Sequence, residues 1–287
     1  MEHIRNNRLA LKTVTLAHSA DSDDAFMFHA LFSGKINTAG LKFQSVISDI
    51  ETLNSSAKAG RYDITALSAH AYVYSENKYK ILTCGASVGD GYGPILISKN
   101  KFTKTDLKNI SIAIPGKLTT AYLILKLFAP KSVCIVKPFD KIMECVINGE
   151  FDAGLIIHEG QLTYKDHDLH KIIDLGKWWQ DQFSLPLVLG LVCVKRSLDA
   201  KAAELVYKSI KWSLDYPKKA IQSANVYSRG MSGKETQKFV SMYVNGYTLN
   251  LNEAGKKSIA VMYDLGFKKK LIPRIPKVEF ANSSLGS

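Results

Sequence analysis

Four short segments carry the residue types that do chemistry. Residues 152–163, Asp-Ala-Gly-Leu-Ile-Ile-His-Glu-Gly-Gln-Leu-Thr, set His158 and Glu159 directly after an apolar run. Imidazole has an unperturbed pKa near neutrality, so His158 suits the work of a general base. The adjacent carboxylate is not automatically its partner, because on an extended chain Glu159 points to the opposite face. A loop histidine held by structural hydrogen bonds is the alternative. His18 and His70 also fall at the ends of strand-like runs and compete for the role, whereas His167 and His170 sit in a charged loop and read as solvated.

Residues 114–123, Ile-Pro-Gly-Lys-Leu-Thr-Thr-Ala-Tyr-Leu, end one apolar run and begin a helix near Thr119 and Thr120. Amides in the first turn of a helix have no intrahelical acceptor and favour a carboxylate or phosphate, with threonine hydroxyls as further donors. Plain N-capping by either threonine is the alternative. No Gly-Lys-Ser/Thr occurs there, which excludes a nucleotide P-loop. Upstream, Asp21, Asp23 and Asp24 crowd a helix start. The Gly and Glu of a calcium-binding EF-hand loop are missing, so these acids read as partners of the helix dipole. The fourth segment is the end of the apolar run at residues 66–68.

These segments need a scaffold that brings strand ends together. Through the first two-thirds of the chain, β-branched runs alternate with amphipathic ones, as in α/β architecture. Strands are expected within 13–19, 41–48, 62–69, 79–87, 93–98, 110–116, 132–138, 152–160 and 170–179. Helices are expected after residue 21, over 49–60 with Gly60 as cap, over 117–129 and over 140–150. From Ser197 the pattern turns helical, with Pro217 opening one helix, a Ser232–Glu235 capping box opening another, and Gly266 closing the last. The glycines at 85, 89, 91 and 93 are too irregular for a dinucleotide fingerprint. Ligands of such sheets bind outside the carboxyl ends of the strands, which singles out residues 19–24, 66–68, 116–121 and 158–161. Of Trp178 and Trp179, one is expected in the core.

The composition of the 287 residues, 46% hydrophobic and 22% charged, excludes disordered and low-complexity classes. Lys and Arg outnumber Asp and Glu by 38 to 26, a formal charge of +12. The basic residues are scattered and lack the aromatic interleaving that stacks bases, so no nucleic-acid partner is expected; the positive field suits a small anionic substrate. Cys84, Cys134, Cys145 and Cys193 are too dispersed for a zinc site or a disulfide framework, and the three in apolar runs read as buried thiols. No apolar run reaches membrane-spanning length, and the basic N-terminus lacks the apolar core of a signal peptide. A cytoplasmic protein with no membrane insertion is therefore expected. The sequence leaves its oligomeric state open.

Read together and in order, the segments DSDDAFMFHAL, DIETLNSSAKAGRYDITALS, GPILIS, PGKLTTAYL, GLIIHEGQLTY, DLGKWW and LPLVLG resemble the 1,4-dihydroxy-6-naphthoate synthase family of the futalosine-dependent menaquinone pathway. The resemblance runs from about 13 to 250. It implies a two-lobed fold like that of type II periplasmic binding proteins, with a ligand cleft between the lobes. The lobes would be 1–98 with 192–287, and 99–191. It also implies the reaction: a carbon–carbon lyase converts cyclic dehypoxanthinylfutalosine to 1,4-dihydroxy-6-naphthoate and dihydroxyacetone, without cofactor or metal. The family's base falls on His158, and its substrate contacts fall on Asn54, on Ala66, Leu67 and Ser68, and on Thr120 and Ala121. The chain departs from the family pattern in SADSDDAF, where SPCPNDTF is common, and at Ala66, where a lysine is common. Val188 replaces a proline in the LPLVLG segment. A non-catalytic small-carboxylate binding protein of the same fold and a chorismate dehydratase-like enzyme are the alternatives.

Overall fold

Short apolar runs punctuated by Gly, Asp and Pro fold into two sheets in the computed structural model, which describes residues 12–281 except 199 and 229. The basic N-terminus that bears on a signal peptide lies outside the described residues. The strands, in chain order, are β1 (Lys12–His18), β2 (Leu41–Ile47), β3 (Ile64–Ser68), β4 (Tyr79–Leu82), β5 (Ser87–Gly89), β6 (Ile95–Ser98), β7 (Ser111–Ile114), β8 (Val133–Val136), β9 (Ala153–Ile156), β10 (His170–Asp174), β11 (Leu187–Lys195) and β12 (Phe280–Ala281). One sheet has the order β2-β1-β3-β11-β4-β12, with β5 on β11, and the other has the order β8-β7-β9-β6-β10.

The two orders are the same device used twice. In each sheet three parallel strands (β2, β1 and β3; β8, β7 and β9) are followed by one that runs against them (β11; β6). The antiparallel strand is in both cases the first one after the chain crosses from the other sheet. The crossings fall between β5 and β6 and between β10 and β11. Thus β6, expected in the first lobe, pairs with β9 and β10 in the second sheet, and β11, which returns the chain to the first sheet, starts at Leu187, ahead of the lobe boundary expected at 192. The two crossings pack on one another: Leu175 N–H donates to the Pro94 carbonyl at 2.9 Å, and a Cβ on Gly176 would collide with the Tyr92 carbonyl. That close approach is the physical reason for glycine in Asp-Leu-Gly-Lys-Trp-Trp.

The segment 170–179, read as one strand, is a strand only to Asp174. There the Asp174 carboxylate accepts from the Gly176 and Lys177 N–H groups, both at 3.0 Å, and caps the helix Leu175–Phe183. Trp179 on that helix is fully buried, with its indole N–H donated to Ser258 Oγ at 3.1 Å. The C-terminal helices Ala200–Asp215, Pro217–Asn225 and Gly233–Tyr243 join the core of β1 and β3 through Val206, Ile210 and Val240. The capping box at Ser232 and Glu235 is formed, and Pro217 opens its helix. The helix expected to end at Gly266 continues to Lys268, and left-handed Lys270 follows it. Cys84, Cys145 and Cys193 are buried, whereas Cys134, on edge strand β8, is only half-buried. Among the described residues no helix is long and apolar enough to cross a membrane.

Candidate active site

The four strand-end segments meet at one cavity of about 110 Å³ between the sheets. Ser19, Asp21, Asp23 and Asp24 reach it from the end of β1, and Ala66, Leu67 and Ser68 from β3. Thr119, Thr120 and Ala121 come from beyond β7, and Ile157 and Gln161 from beyond β9. All four lie at the carboxyl ends of parallel strands, where the loops of an α/β sheet are free to diverge.

At the helix start both threonine hydroxyls are already committed. Thr119 is the N-cap of the helix Thr120–Phe128: its Oγ1 accepts from Tyr122 N–H at 3.2 Å and donates to the Gly116 carbonyl at 2.8 Å. Thr120 Oγ1 donates to the Leu189 carbonyl of β11 at 2.7 Å and accepts from His70 N–H at 3.2 Å. Of the hydroxyls expected as extra anion donors, that of Thr119 therefore caps its own helix and that of Thr120 ties the helix to the opposite sheet. The first-turn N–H groups of Thr120 and Ala121 remain for an anion, since geometry gives them no intrahelical acceptor. Among the described residues no lysine or arginine lines the cavity, and Ala66, where the resemblance leads one to expect a lysine, reaches it instead.

Ser68 closes the other side of the cavity. Its Oγ accepts from Asn54 Nδ2 at 3.0 Å and its N–H donates to Asn54 Oδ1 at 2.8 Å, so the serine proton is turned elsewhere as a donor. Asn54 is fully buried and does not line the cavity; it orients Ser68 instead.

His158 lies behind the wall, between the lining residues Ile157 and Gln161, and is not itself among them. It is 5% exposed, with its ring edge-on to Phe139 at 5.8 Å. Its Nδ1 accepts from Gly160 N–H at 3.0 Å, which puts the proton of the neutral ring on Nε2. The competing histidines are placed differently. His18 binds the Ser19 carbonyl and Ser45 Oγ through its two ring nitrogens at 2.8 and 2.9 Å. His70 contacts the Thr119 carbonyl at 3.3 Å, and burial lowers its pKa to about 4, leaving it neutral.

Asp23 and Asp24 stand in the first turn of a helix, as expected of helix-dipole partners, and both are buried. The helix Ser22–Met27 is short and its N-cap Asp21 makes no side-chain capping bond. Asp24 accepts from both the N–H and Oγ of Ser19 at 2.7 Å, and Asp23 accepts from Ser87 Oγ at 3.1 Å. Burial, with Asp24, Asp21 and Glu159 close by, drives the Asp23 carboxyl well above the ordinary carboxylate range. Burial raises Asp24 as well, against the pull of His18 and the Ser19 hydrogen bonds. Glu159 is buried and accepts from Ser22 Oγ at 3.0 Å, a bond that reaches from the second half of the molecule to the first.

Several lining residues went unnoticed in the sequence. Ser87, the return strand at 189–191, Phe239 and Tyr243 all reach the cavity. Tyr243 donates to Gln161 Oε1 at 2.7 Å, and burial pushes its hydroxyl far up, so it stays a neutral donor. Only the glycine-rich turn around Ser87 carried any local sign of a site. Among the described residues no group of three or more His, Cys, Asp or Glu side chains is arranged to hold a metal ion.

The chain as a whole is similar to known proteins. A family model described as menaquinone biosynthesis matches residues 14–268. The chain is 32% identical over 257 residues to the 1,4-dihydroxy-6-naphthoate synthase of Thermus thermophilus, covering 88% of this chain and 93% of that one. An X-ray structure of an Archaeoglobus fulgidus protein superposes with a TM-score of 0.87 at 43% identity, covering 91% and 98% of the two chains. A Candida albicans protein described as having the generic periplasmic-binding-protein fold superposes at 0.65 with 13% identity, covering 96% and 100%. That last likeness concerns the fold alone, and it agrees with the two-sheet topology and the intervening cavity.

Proposed function

Because the chain belongs to the menaquinone biosynthesis family, we propose that it is a cytoplasmic lyase that takes cyclic dehypoxanthinylfutalosine to 1,4-dihydroxy-6-naphthoate and dihydroxyacetone, without a cofactor. The observation that carries this is the convergence of the four strand-end segments on one cavity. The substrate's aromatic carboxylate sits at the N–H groups of Thr120 and Ala121, where a helix start favours negative charge. Ser68, oriented by Asn54, donates across the cavity to a substrate oxygen. The upward shift of the Asp23 carboxyl, driven by burial, favours its neutral form beside an anionic substrate.

His158 removes a carbon-bound proton, ring opening follows, and aromatisation of the naphthalene drives the sequence forward. The Nδ1 lone pair of His158 is turned to Gly160 N–H. Substrate entry therefore has to shift the 158–160 turn before the base engages. Catalytic hydrogen bonds of this kind commonly tighten only in the substrate complex. A positioned base is worth about 10²–10⁴-fold in rate. Orientation and exclusion of water between the sheets supply the remainder. The role of the base is tested with His158→Asn, which keeps the shape and deletes the proton acceptor. We expect kcat to fall by about 10²-fold or more, with product affinity within a few-fold of wild type. Full kcat in that variant would remove His158 from the mechanism.

A further inference from the structure

Glu51 belongs to one half of the molecule and makes its hydrogen bonds in the other. It stands in the first turn of the helix Ile50–Lys58, next to β3. Its two carboxylate oxygens accept from Leu118 N–H, at 3.1 and 3.2 Å, in the connection that leaves β7 of the second sheet. The N–H of Lys117 adds a second donor. A Cβ on Gly116 would run into the Glu51 carboxyl group, so this connection carries glycine where the carboxylate passes over it. Here the amides of the β7 connection that precede the helix are occupied from inside the protein, while those of Thr120 and Ala121 are not.

The contact continues into the first half. Asn54 Nδ2 reaches Glu51 Oε2 at 3.5 Å, and the same amide group holds Ser68 through two hydrogen bonds. One chain of contacts thus runs from Ser68 through Asn54 and Glu51 to Leu118. It ends two residues short of the Thr120 amide. Glu51 itself does not line the cavity.

We propose that Glu51 is a positioning residue that sets the spacing between the Ser68 hydroxyl and the Thr120–Ala121 amides by latching the β7 connection onto the helix Ile50–Lys58. The proposal rests on the reading that these groups bind one substrate from two sides. A carboxylate is suited to the task because two acceptor oxygens can serve converging amides and a charged acceptor strengthens each bond.

The test compares Glu51→Ala, Glu51→Gln and Gly116→Ala with the wild type. Spin labels at Lys42→Cys and Lys108→Cys, in a Cys134→Ser background, report the distance between the halves without ligand. Steady-state kinetics with cyclic dehypoxanthinylfutalosine and calorimetric titration with 1,4-dihydroxy-6-naphthoate report binding. Glu51→Ala is expected to broaden or lengthen the distance distribution and to raise KM and product Kd at least tenfold, with kcat changed less than threefold. Glu51→Gln, which keeps one acceptor, should restore part of that loss. Gly116→Ala should reproduce the effect with the carboxylate still present, and it serves if Glu51→Ala does not fold. An unchanged distance distribution in a folded Glu51→Ala protein overturns the proposal, whether KM is unaltered or rises through some direct contact. If the wild type turns nothing over, the assigned reaction fails, while the ligand-free distances still decide the role of Glu51.

Discussion

Asp23 holds a buried carboxyl among other acids. Its carboxyl is raised above the ordinary value by burial first, and then by Asp24, Asp21 and Glu159. The folded state therefore holds the proton more tightly than the unfolded chain does. Linkage gives the sign: stability from this group is full below the ordinary carboxyl range and is lost as pH rises through the folded value. Asp24 is raised too and acts in the same direction. Asp23→Asn keeps the shape and removes the titration. Its melting temperature should exceed that of the wild type at pH 8, and the gap should narrow at pH 5. A gap that widens toward acid would mean that Asp23 is ionised and stabilising in the native protein. Nothing local in Ser-Ala-Asp-Ser-Asp-Asp-Ala-Phe reports this state, because the burial is tertiary and two of the groups that act on the carboxyl, Glu159 by its charge and Ser87 by a hydrogen bond that opposes the rise, lie 136 and 64 residues away. The helix dipole involves only the three acids and their own helix, whereas the burial of Asp23 depends on the whole fold.

At the scale of elements, the strand ends were legible because hydrophobic runs stop where polar loops must start. Residues 19–24, 66–68, 116–121 and 158–161 all contribute to the cavity wall for that reason. What the periodicity hid were the elements whose placement depends on distant partners. The strand β6 looks continuous with the first unit, but it pairs with β9 after the crossing. The run at 170–179 stays apolar through the strand-to-helix switch, so only Asp174 marks the break. Val188, in place of the family proline, is fully buried in β11 beside an irregularity opposite β5, so its side chain packs in the core. Gly176 gives the sharpest test at this scale, since a methyl group there meets the backbone of Tyr92 rather than a yielding side chain. Gly176→Ala should destabilise the protein by about 3 kcal/mol, as overpacking against a backbone does, read from the denaturant midpoint at constant m. A loss under about 0.5 kcal/mol would show that the crossings are not in contact in solution.

For the molecule as a whole, the bonds that join the halves cluster around the cavity. Glu51 to Leu118 lies on one side, and Ser22 to Glu159 and Tyr243 to Gln161 lie on the other. A ligand that bridges Ser68 and the Thr120–Ala121 amides adds to the same set, so it favours the closed arrangement by its differential affinity. Saturation with 1,4-dihydroxy-6-naphthoate should therefore reduce the radius of gyration in solution scattering or leave one compact form in place of a mixture. Identical profiles with and without product would count against closure. Which sheet owns each crossing and how Glu51 spans the halves are properties of the assembled molecule, so the sequence alone carried no sign of them. Two lobes with a cleft, by contrast, were implied by two successive α/β units and a family resemblance.

The central claim is that this cavity performs the lyase reaction of menaquinone biosynthesis. It is tested most directly by incubating the purified protein with cyclic dehypoxanthinylfutalosine and following both 1,4-dihydroxy-6-naphthoate and dihydroxyacetone by mass spectrometry, with His158→Asn alongside. The account predicts equimolar formation of the two products by the wild type and little of either by the variant. Unchanged substrate that nevertheless binds to the wild type would contradict it and leave a carboxylate-binding protein, or an enzyme for a different substrate, built on the same cavity.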